Sequence, residues 1–296
     1  MRLSTVILPA HRWSVAREHW RRADEYDLHA AYTYDHLSWR SFRERAWFAM
    51  VPTLCAAASV TSSIRLGPLV TSPNFRHPLV LAKDLLALDD LSDGRLIVGV
   101  GSGGTDFDAT VLGAEPWTTR ERHERFEEFT RVLDTLLRTP TSTIDARYYP
   151  VLDSRQLPGP VQFPRPPLYL SALGPKSLRL AAQIAEGWVS FGASSASDDA
   201  STFDAVRHQV SLLDEALAGE GRTGHSMQRL LLDFGGDERP LASFEAFLDW
   251  AGRYRELGID EVVVHWPVSD SPYDYDSALF ERICTEGRER LADLGI

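Results

Sequence analysis

The chain has 296 residues, of which 44% are hydrophobic and 25% charged, which is the composition of a globular protein with a sizeable core. A formal net charge of −11 argues against nucleic-acid or anionic-membrane partners, since both would repel the chain. With no signal peptide before the first strand and no apolar run approaching the roughly 20 residues of a membrane span, we expect a cytoplasmic protein. Cys55 and Cys284 fit no ligand spacing and are expected to be buried thiols in a reducing compartment.

Predicted strands and helices alternate along the whole chain. The strands are Leu3–Leu8, Ala31–Tyr34, Ile64–Val70, Leu96–Val100, Leu168–Ser171, Trp188–Phe191, Leu230–Phe234 and Asp260–His265. The helices are Ser14–Leu28, Arg45–Ser59, Pro78–Leu91, Thr118 or Thr119 to Arg138, Lys176–Ala185, Phe203–Ala218, Ser243–Leu257 and Ser277–Leu294. Eight such units predict one α/β domain over residues 1–296, a (β/α)8 TIM barrel, with a doubly wound open sheet as the alternative.

Three segments have no clear period. Thr105–Trp117 is predicted to be irregular. Thr141–Pro167 is rich in proline and is predicted to be a long insertion over one face of the barrel. Ser194–Thr202 is small and polar, which favours a mobile loop.

The stretch Ile64–Gly104 carries the most specific pattern. It predicts a strand, a helix and a second strand, and each strand ends in small or polar residues, as in a βαβ unit with a binding rim. The wording LGPLVTSPNFRHP…LDDLSDGRLIVGVGSGG resembles the bacterial-luciferase-like superfamily of flavin- and deazaflavin-dependent oxidoreductases, and the likeness extends over nearly the whole chain. This resemblance implies a (β/α)8 barrel whose cofactor ring lies at the C-terminal mouth, against a bulge after the third strand.

Asp35, His36 and Trp39, in the segment YDHLSW after the second strand, are the predicted catalytic residues. In the family, an aspartate–histidine pair at this place lies beside the cofactor ring, and a nearby tryptophan borders the substrate pocket. The resemblance therefore implies that His36 handles a proton, a role that imidazole can fill near neutral pH, and that Asp35 is its companion at the ring. The alternative is that Asp35 caps the next segment and His36 is structural.

Three further segments are predicted to bind the cofactor. Leu69, Val70, Thr71 and Ser72 match the family's bulge, with a non-prolyl cis peptide expected at Leu69–Val70, and Ser102, Gly103 and Gly104 would lie along the ribityl chain. Gly174, Pro175, Lys176 and Ser177 open a helix, where free N–H groups favour an anion, and by resemblance they hold the cofactor phosphate. An ordinary strand end, a plain glycine turn and a capped helix start are the alternatives.

One position departs from part of the family. In the deazaflavin-dependent sugar-phosphate dehydrogenases, a glutamate acts as acid or base at the position where we place Gly104. Its absence argues against that chemistry here. Asp106 and Asp108 are close in sequence, but neither is assigned that role.

Aromatic residues and histidines at other strand ends are candidates for the substrate pocket. They are His11, Trp13, Trp39, Trp117, His265 and Trp266, although Trp13 and Trp117 could instead cover barrel edges. Asn74, in the loop after the third strand, is a further candidate for the pocket. Such a mouth suits a flat or apolar substrate. A metal site is not expected, because there is no H-x-H after the first strand and no H-E-x-x-H. An esterase is not expected either, because the sequence lacks G-x-S-x-G.

The resemblance implies an oxidoreductase that transfers a hydride between the deazaflavin coenzyme F420, at its ring C5, and a small organic substrate. The alternative is an FMN-dependent monooxygenase that receives reduced flavin from a partner reductase. A third hypothesis is a flavin-binding protein without catalysis. Dimers are common in the family, and the apolar segment Trp47–Ala58 is the candidate homodimer interface, although ordinary barrel packing would also explain it.

Overall fold

Eight parallel strands form the main sheet of the protein. The computed structural model describes residues 1–105, 107–192, 201–235 and 237–293. The strands of the main sheet are β1 (Arg2–Val6), β2 (Ala30–Thr33), β3 (Arg65–Pro68), β4 (Val98–Val100), β7 (Leu168–Ser171), β8 (Gly187–Ser190), β9 (Gln228–Leu232) and β10 (Glu261–His265). Their order is β3-β2-β1-β10-β9-β8-β7-β4.

The two ends of this sheet meet. Parallel bridges join Leu66 to Leu96 and Thr71 to Val100, so β3 and β4 are neighbours and the sheet closes. Closure leaves no open edge and brings all eight strand C-termini to one mouth. The predicted (β/α)8 barrel is confirmed, and the open doubly wound sheet is wrong.

Helices surround the barrel. They are α1 (Trp13–Glu25), α2 (Met50–Ala58), α3 (Pro78–Leu91), α4 (Phe107–Thr110), α5 (Thr119–Arg138), α6 (Pro175–Ile184), α7 (Thr202–Gly219), α8 (Phe244–Glu256), α9 (Ser277–Arg282) and α10 (Arg288–Asp293). The longest, α5, begins where Thr118 Oγ1 accepts a hydrogen bond from the N–H of Glu121 at 3.2 Å, and it buries one stripe of apolar residues against the barrel. In the described residues, no helix combines the length and apolar character needed to cross a bilayer.

Most predicted bounds lie within two residues of the observed ones, and α3 begins and ends as predicted. The second helix is the largest difference, because it begins at Met50 and not at Arg45. A short 3-10 turn at Arg40–Phe42 comes first, and the chain is then tied across the barrel by a hydrogen bond from Phe48 N to Pro9 O at 2.8 Å.

Two segments predicted to lack regular structure contain some. The irregular segment 105–117 holds α4, a single turn too short to show a period. The insertion 141–167 holds an antiparallel hairpin of β5 (Thr141–Ile144) and β6 (Val151–Arg155), whose strands are largely exposed and so lack apolar alternation. Residues 193–200 of the predicted loop Ser194–Thr202 lie outside the described residues, and Thr202 already belongs to α7.

Side chains alternate along the strands between two apolar clusters. On β10, Val263 belongs to the cluster inside the barrel, whereas Val262 and Val264 belong to the cluster between barrel and helices. Glu261 and His265 share the parity of Val263 and are fully buried at opposite ends of the strand. The free thiols Cys55 and Cys284 are half-buried and buried, respectively.

Candidate active site

The predicted cofactor contacts lie on four neighbouring strands of the barrel. Going round the mouth, they follow β2 (Asp35 and His36), β3 (69–72), β4 (102–104) and β7 (174–177). The pairs β2–β3 and β4–β7 are joined by strand hydrogen bonds, and the bridges join β3 to β4. We call this part of the mouth the cofactor arc. In strand order it runs from the N-terminus of α6 to His36.

Asp35 is held by the protein itself. Its carboxylate accepts hydrogen bonds from Arg76 Nε at 3.0 Å, from Arg76 Nη2 at 2.7 Å and from Thr71 Oγ1 at 2.7 Å. Only 2% of its surface is exposed. A bidentate pair of this kind fixes both side chains, so Asp35 braces the loops after β2 and β3, whereas the sequence analysis gave it a place at the ring.

His36 is paired with a carboxylate that the sequence analysis left unassigned. His36 Nδ1 lies in hydrogen-bond contact with Asp108 Oδ2, and Asp108 Oδ1 accepts the backbone N–H of Leu37 at 2.7 Å and of Ser38 at 3.3 Å. Asp108 lies on α4 and is buried. Because a carboxylate accepts hydrogen bonds, it favours the tautomer with hydrogen on Nδ1 and leaves Nε2 as the imidazole's reactive nitrogen.

Two tryptophans fix the other sides of His36. The ring of Trp39 stacks on the imidazole with centroids 4.2 Å apart, and Trp47 Nε1 donates to the carbonyl of His36 at 2.8 Å. Trp39 therefore lies beside His36, and its place at the border of the substrate pocket stays a prediction. Trp47, which the sequence analysis placed in a helix, holds the backbone of the site.

The bulge after β3 presents polar atoms without protein partners. The peptide bond Leu69–Val70 is cis, which confirms that prediction. In the described part of the chain, Ser72 Oγ and Asn74 Oδ1 are buried and have no hydrogen-bond partner. A buried polar atom that lacks a partner is costly, so these two atoms fit contacts to a bound polar ligand.

The glycine run after β4 packs tightly against this bulge. A Cβ on Gly101 would approach Val70 Cγ2 to 2.5 Å, so a larger residue there does not fit. Asn74 Nδ2 donates to the carbonyl of Gly104 at 3.1 Å and holds the run in place. Ser102 Oγ donates a long hydrogen bond, 3.4 Å, to the carbonyl of its neighbour Gly103.

The N-terminus of α6 is open at Gly174. Among the described residues, nothing lies within 4 Å of a Cβ built on Gly174, and Lys176 is exposed beside it. The Ser177 hydroxyl is used as a cap, since it accepts from Gly174 N at 3.3 Å and donates to Gly174 O at 2.9 Å. Pro175 has no N–H, so the backbone N–H groups of Lys176 and Ser177 and the Lys176 ammonium are the donors left for an anion.

Opposite the cofactor arc, the mouth is aromatic. His265 is fully buried, stacks on Tyr273 with ring centroids 3.8 Å apart, and contacts the hydroxyl of Tyr34 through Nε2 at 2.8 Å. Burial lowers the pKa of His265 to about 3, so this imidazole is neutral. Trp39 reaches across to Phe234, after β9, at 6.0 Å between ring centroids.

Next to His265, burial raises the pKa of Asp233, at the end of β9, to about 6. Of the wall that these side chains form, the sequence analysis found His265 and Trp39 and missed Tyr34, Tyr273 and Phe234. A tyrosine directly before Asp35, inside the quoted YDHLSW, was the available signal.

Four predicted pocket residues do not join this group. Trp266 stacks on His19 at 5.3 Å and meets Phe280 in the layer between barrel and helices, because it has the opposite strand parity to His265. His11 packs edge-on against the same His19. Trp13 lies on the first turn of α1, and Trp117 lies under the guanidinium of Arg125 on α5 at 4.4 Å.

Asn74, by contrast, belongs to the cofactor arc and not to the aromatic wall.

Within residues 1–105, 107–192, 201–235 and 237–293, no three His, Cys, Asp or Glu side chains are grouped as ligands of a metal ion.

The luciferase-like monooxygenase family matches residues 1–230. An F420-dependent glucose-6-phosphate dehydrogenase from Kineococcus radiotolerans is 28% identical over 87% of this chain and 80% of its own length. A protein of the same name from Beutenbergia cavernae is 35% identical over 56% of this chain. The chain spans about half, 49%, of that relative's length.

Solved structures share the fold. The coenzyme F420-dependent tetrahydromethanopterin reductase from Methanopyrus kandleri is similar with a TM-score of 0.76 and 18% identity, covering 96% of this chain and 97% of that one. The monooxygenase RslO1 from Streptomyces bottropensis is similar with a TM-score of 0.77 and 20% identity, over 96% and 98% of the two chains. At these identities the likeness supports the barrel alone.

Proposed function

Since the chain belongs to the luciferase-like monooxygenase family, a family of oxidoreductases, we propose that it transfers a hydride between coenzyme F420 and a small organic substrate. A relative that matches 87% of this chain carries an F420-dependent name. The observation that carries the proposal is the cofactor arc, in which an open helix N-terminus, a glycine run, unpartnered polar atoms and a histidine follow one another on neighbouring strands.

The residues of the cofactor arc fit a long polar cofactor. The N-terminus of α6 with Lys176 would hold the phosphate, and 102–104 would follow the ribityl chain. Ser72 Oγ and Asn74 Oδ1 would make the polar contacts they lack. When bound, the deazaflavin supplies a ring carbon, C5, that accepts or gives hydride.

His36 manages the proton that accompanies the hydride. In the oxidative direction, Nε2 accepts the hydroxyl proton of the substrate, and in the reductive direction it returns a proton to the new oxygen. Asp108 holds Nδ1 and so keeps Nε2 available for this exchange. The stacked ring of Trp39 keeps the imidazole in one plane and excludes water from one face.

A turnover assay tests the proposal. Purified protein is mixed with reduced F420 and a panel of aldehydes and ketones without oxygen, and the return of the oxidised deazaflavin absorbance is followed. We expect turnover with at least one member of the panel, and none with His36→Ala. Binding of F420 without turnover of any candidate substrate, whether the substrate is supplied in its oxidised or its reduced form, would favour a non-catalytic binding protein.

A reduced-flavin monooxygenase is the second candidate function. The description of the matching family, luciferase-like monooxygenase, favours it. Such an enzyme would need reduced FMN from a partner reductase. Oxygen uptake that depends on reduced FMN and on an added substrate, with no reaction of F420, would support this function and contradict the first.

We also propose that the chain forms a homodimer through the region of α2. Phe48, 43% exposed, and Val80 on α3, 60% exposed, are large apolar side chains beside this helix. A second copy would cover such apolar surface. Light scattering at micromolar concentration should give twice the mass of 33.1 kDa, and Phe48→Glu should return it to that of one chain.

A further inference from the structure

We propose that Arg40 binds an anionic group, a carboxylate, of a substrate that has a flat apolar body. This inference deepens the proposed function and rests on it for the presence of a substrate beside His36. Arg40 follows Trp39 directly and opens the turn Arg40–Phe42. Its guanidinium lies 4.7 Å from the ring centroid of Trp39 and 4.9 Å from that of Phe234.

The backbone of this arginine is held in an uncommon conformation. Arg40 has φ of 33°, a left-handed region in which side chains other than glycine and asparagine are rare. The turn persists because Phe42 is buried and its N–H donates to Trp39 O at 2.7 Å, while Arg43 N donates to Arg40 O at 3.2 Å. Uncommon backbone held in this way is frequent at ligand-binding sites, and here it directs a charged side chain over the aromatic rings.

The charge of Arg40 contrasts with that of Arg76, another arginine at the mouth. Arg76 is neutralised by the carboxylate of Asp35. Among the described carboxylates, none lies within 4 Å of the Arg40 guanidinium, and Asp108 is already taken by His36. In a chain with a net charge of −11, a guanidinium of this kind at the mouth gives a local positive potential that attracts anions.

The surroundings of Arg40 fit the body of such a substrate. Arg40 lines an open surface pocket of about 630 Å³ with Thr105, Phe107 and Thr110. Trp39 links this arginine to the reacting histidine, because its ring stacks on His36. A carboxylate can take both N–H groups of one guanidinium edge, which fixes the orientation of a flat molecule.

The position of Arg40 also separates it from the cofactor phosphate site. Arg40 follows β2, whereas the N-terminus of α6 follows β7, and β3 and β4 lie between these strands. In the proposed function the phosphate of the cofactor binds at the N-terminus of α6. Arg40 is therefore available to the other reactant, the substrate. The anionic tail of F420 is the competing source of a carboxylate, and the experiment separates the two.

The test uses benzoate and its neutral counterpart benzamide as probes. Their binding to the full chain is measured by ligand-observed NMR, with and without saturating F420. We expect benzoate to bind about tenfold tighter than benzamide, a difference of about 1.4 kcal/mol. Arg40→Gln should remove this preference and Arg40→Lys should keep part of it. Arg17→Gln, on the exposed face of α1, is the control and should leave the preference unchanged.

The outcomes separate this inference from the proposed function. Equal binding of benzoate and benzamide, or an equal loss in Arg17→Gln, would overturn the role of Arg40. If Arg40→Gln weakens F420 tenfold and leaves benzoate unaffected, Arg40 reads the cofactor and the inference is wrong. If benzoate selectivity depends on Arg40 while F420 does not bind, the anion site stands and the proposed function fails.

Discussion

The two sides of the barrel mouth consist of different kinds of residues. On the cofactor arc, small residues and backbone face the site, and two buried carboxylates, Asp35 and Asp108, are each fixed by a basic partner. On the opposite side, Tyr34, Tyr273 and His265 pack ring against ring and exclude water. This difference supports the proposal that a polar cofactor binds on the cofactor arc and that the opposite side is an apolar wall for the reaction.

The largest expected effect is on catalysis at the cofactor arc. His36→Ala removes the group that accepts or gives the proton, so the turnover rate with F420 should fall about 1000-fold, within the range of general acid–base catalysis. The dissociation constant of F420 should change by less than about threefold, since other residues hold its phosphate. His208→Ala, on the exposed face of α7, is the matched control and should keep full activity. A fall of less than about fivefold for His36→Ala would remove His36 from the chemistry.

The second effect is on stability. Asp35→Asn leaves the Arg76 guanidinium without its counter-charge, and removing one partner of a buried pair should cost about 3 kcal/mol of unfolding free energy. Urea denaturation followed by circular dichroism measures this loss. Asp90→Asn, at an exposed position of α3, should change the same quantity by less than about 0.5 kcal/mol. An equal effect of the two variants would show that Asp35 does not brace the mouth.

The third effect distinguishes the two carboxylates of the cofactor arc. Asp108→Asn keeps the shape but removes the charge that fixes His36 Nδ1, so turnover should fall 10- to 100-fold, about 1.4 to 2.7 kcal/mol, with little loss of stability. Because Asp108 acts through His36, the pH at which the rate reaches half its maximum should also move. Asp108→Glu should restore part of the rate. An unchanged pH profile together with an unchanged rate would make Asp108 merely structural.

The smallest effect concerns the aromatic wall. His265 has a pKa of about 3 in the folded protein and an ordinary value of 6.5 when unfolded. Below pH 6.5 the unfolded chain therefore binds a proton that the folded protein does not, and stability falls as the pH falls toward 3. Between pH 6.5 and pH 5 this loss amounts to about 2 kcal/mol.

Replacing the imidazole isolates the contribution of His265 to the pH dependence of stability. His265→Phe keeps a ring against Tyr273 but cannot be protonated, so its unfolding free energy should vary less between pH 6.5 and pH 5 than that of the wild type, by about 2 kcal/mol. The comparison uses slopes, because the substitution also leaves the Tyr34 hydroxyl without its partner and lowers stability at every pH. Equal slopes would contradict a buried neutral histidine.

The same contrast explains what the sequence could reveal. The barrel was predictable because strand and helix periods alternate eight times, and the Leu69–Val70 bond was predictable from its resemblance to a family pattern. Asp108 escaped because α4 is one turn long and carries no period. The parity of Trp266, which places it outside the barrel, depends on where β10 ends, and a one-residue shift moves a side chain to the other face.

The most direct measurement is a pair of fluorescence titrations of the purified full chain, one with oxidised F420 and one with FMN, repeated for Lys176→Gln. The account predicts that F420 binds at micromolar concentration and at least about tenfold tighter than FMN, and that Lys176→Gln weakens F420 by about tenfold, because the exposed ammonium helps α6 to hold the phosphate. Tighter binding of FMN, or no binding of either cofactor, would contradict a deazaflavin oxidoreductase.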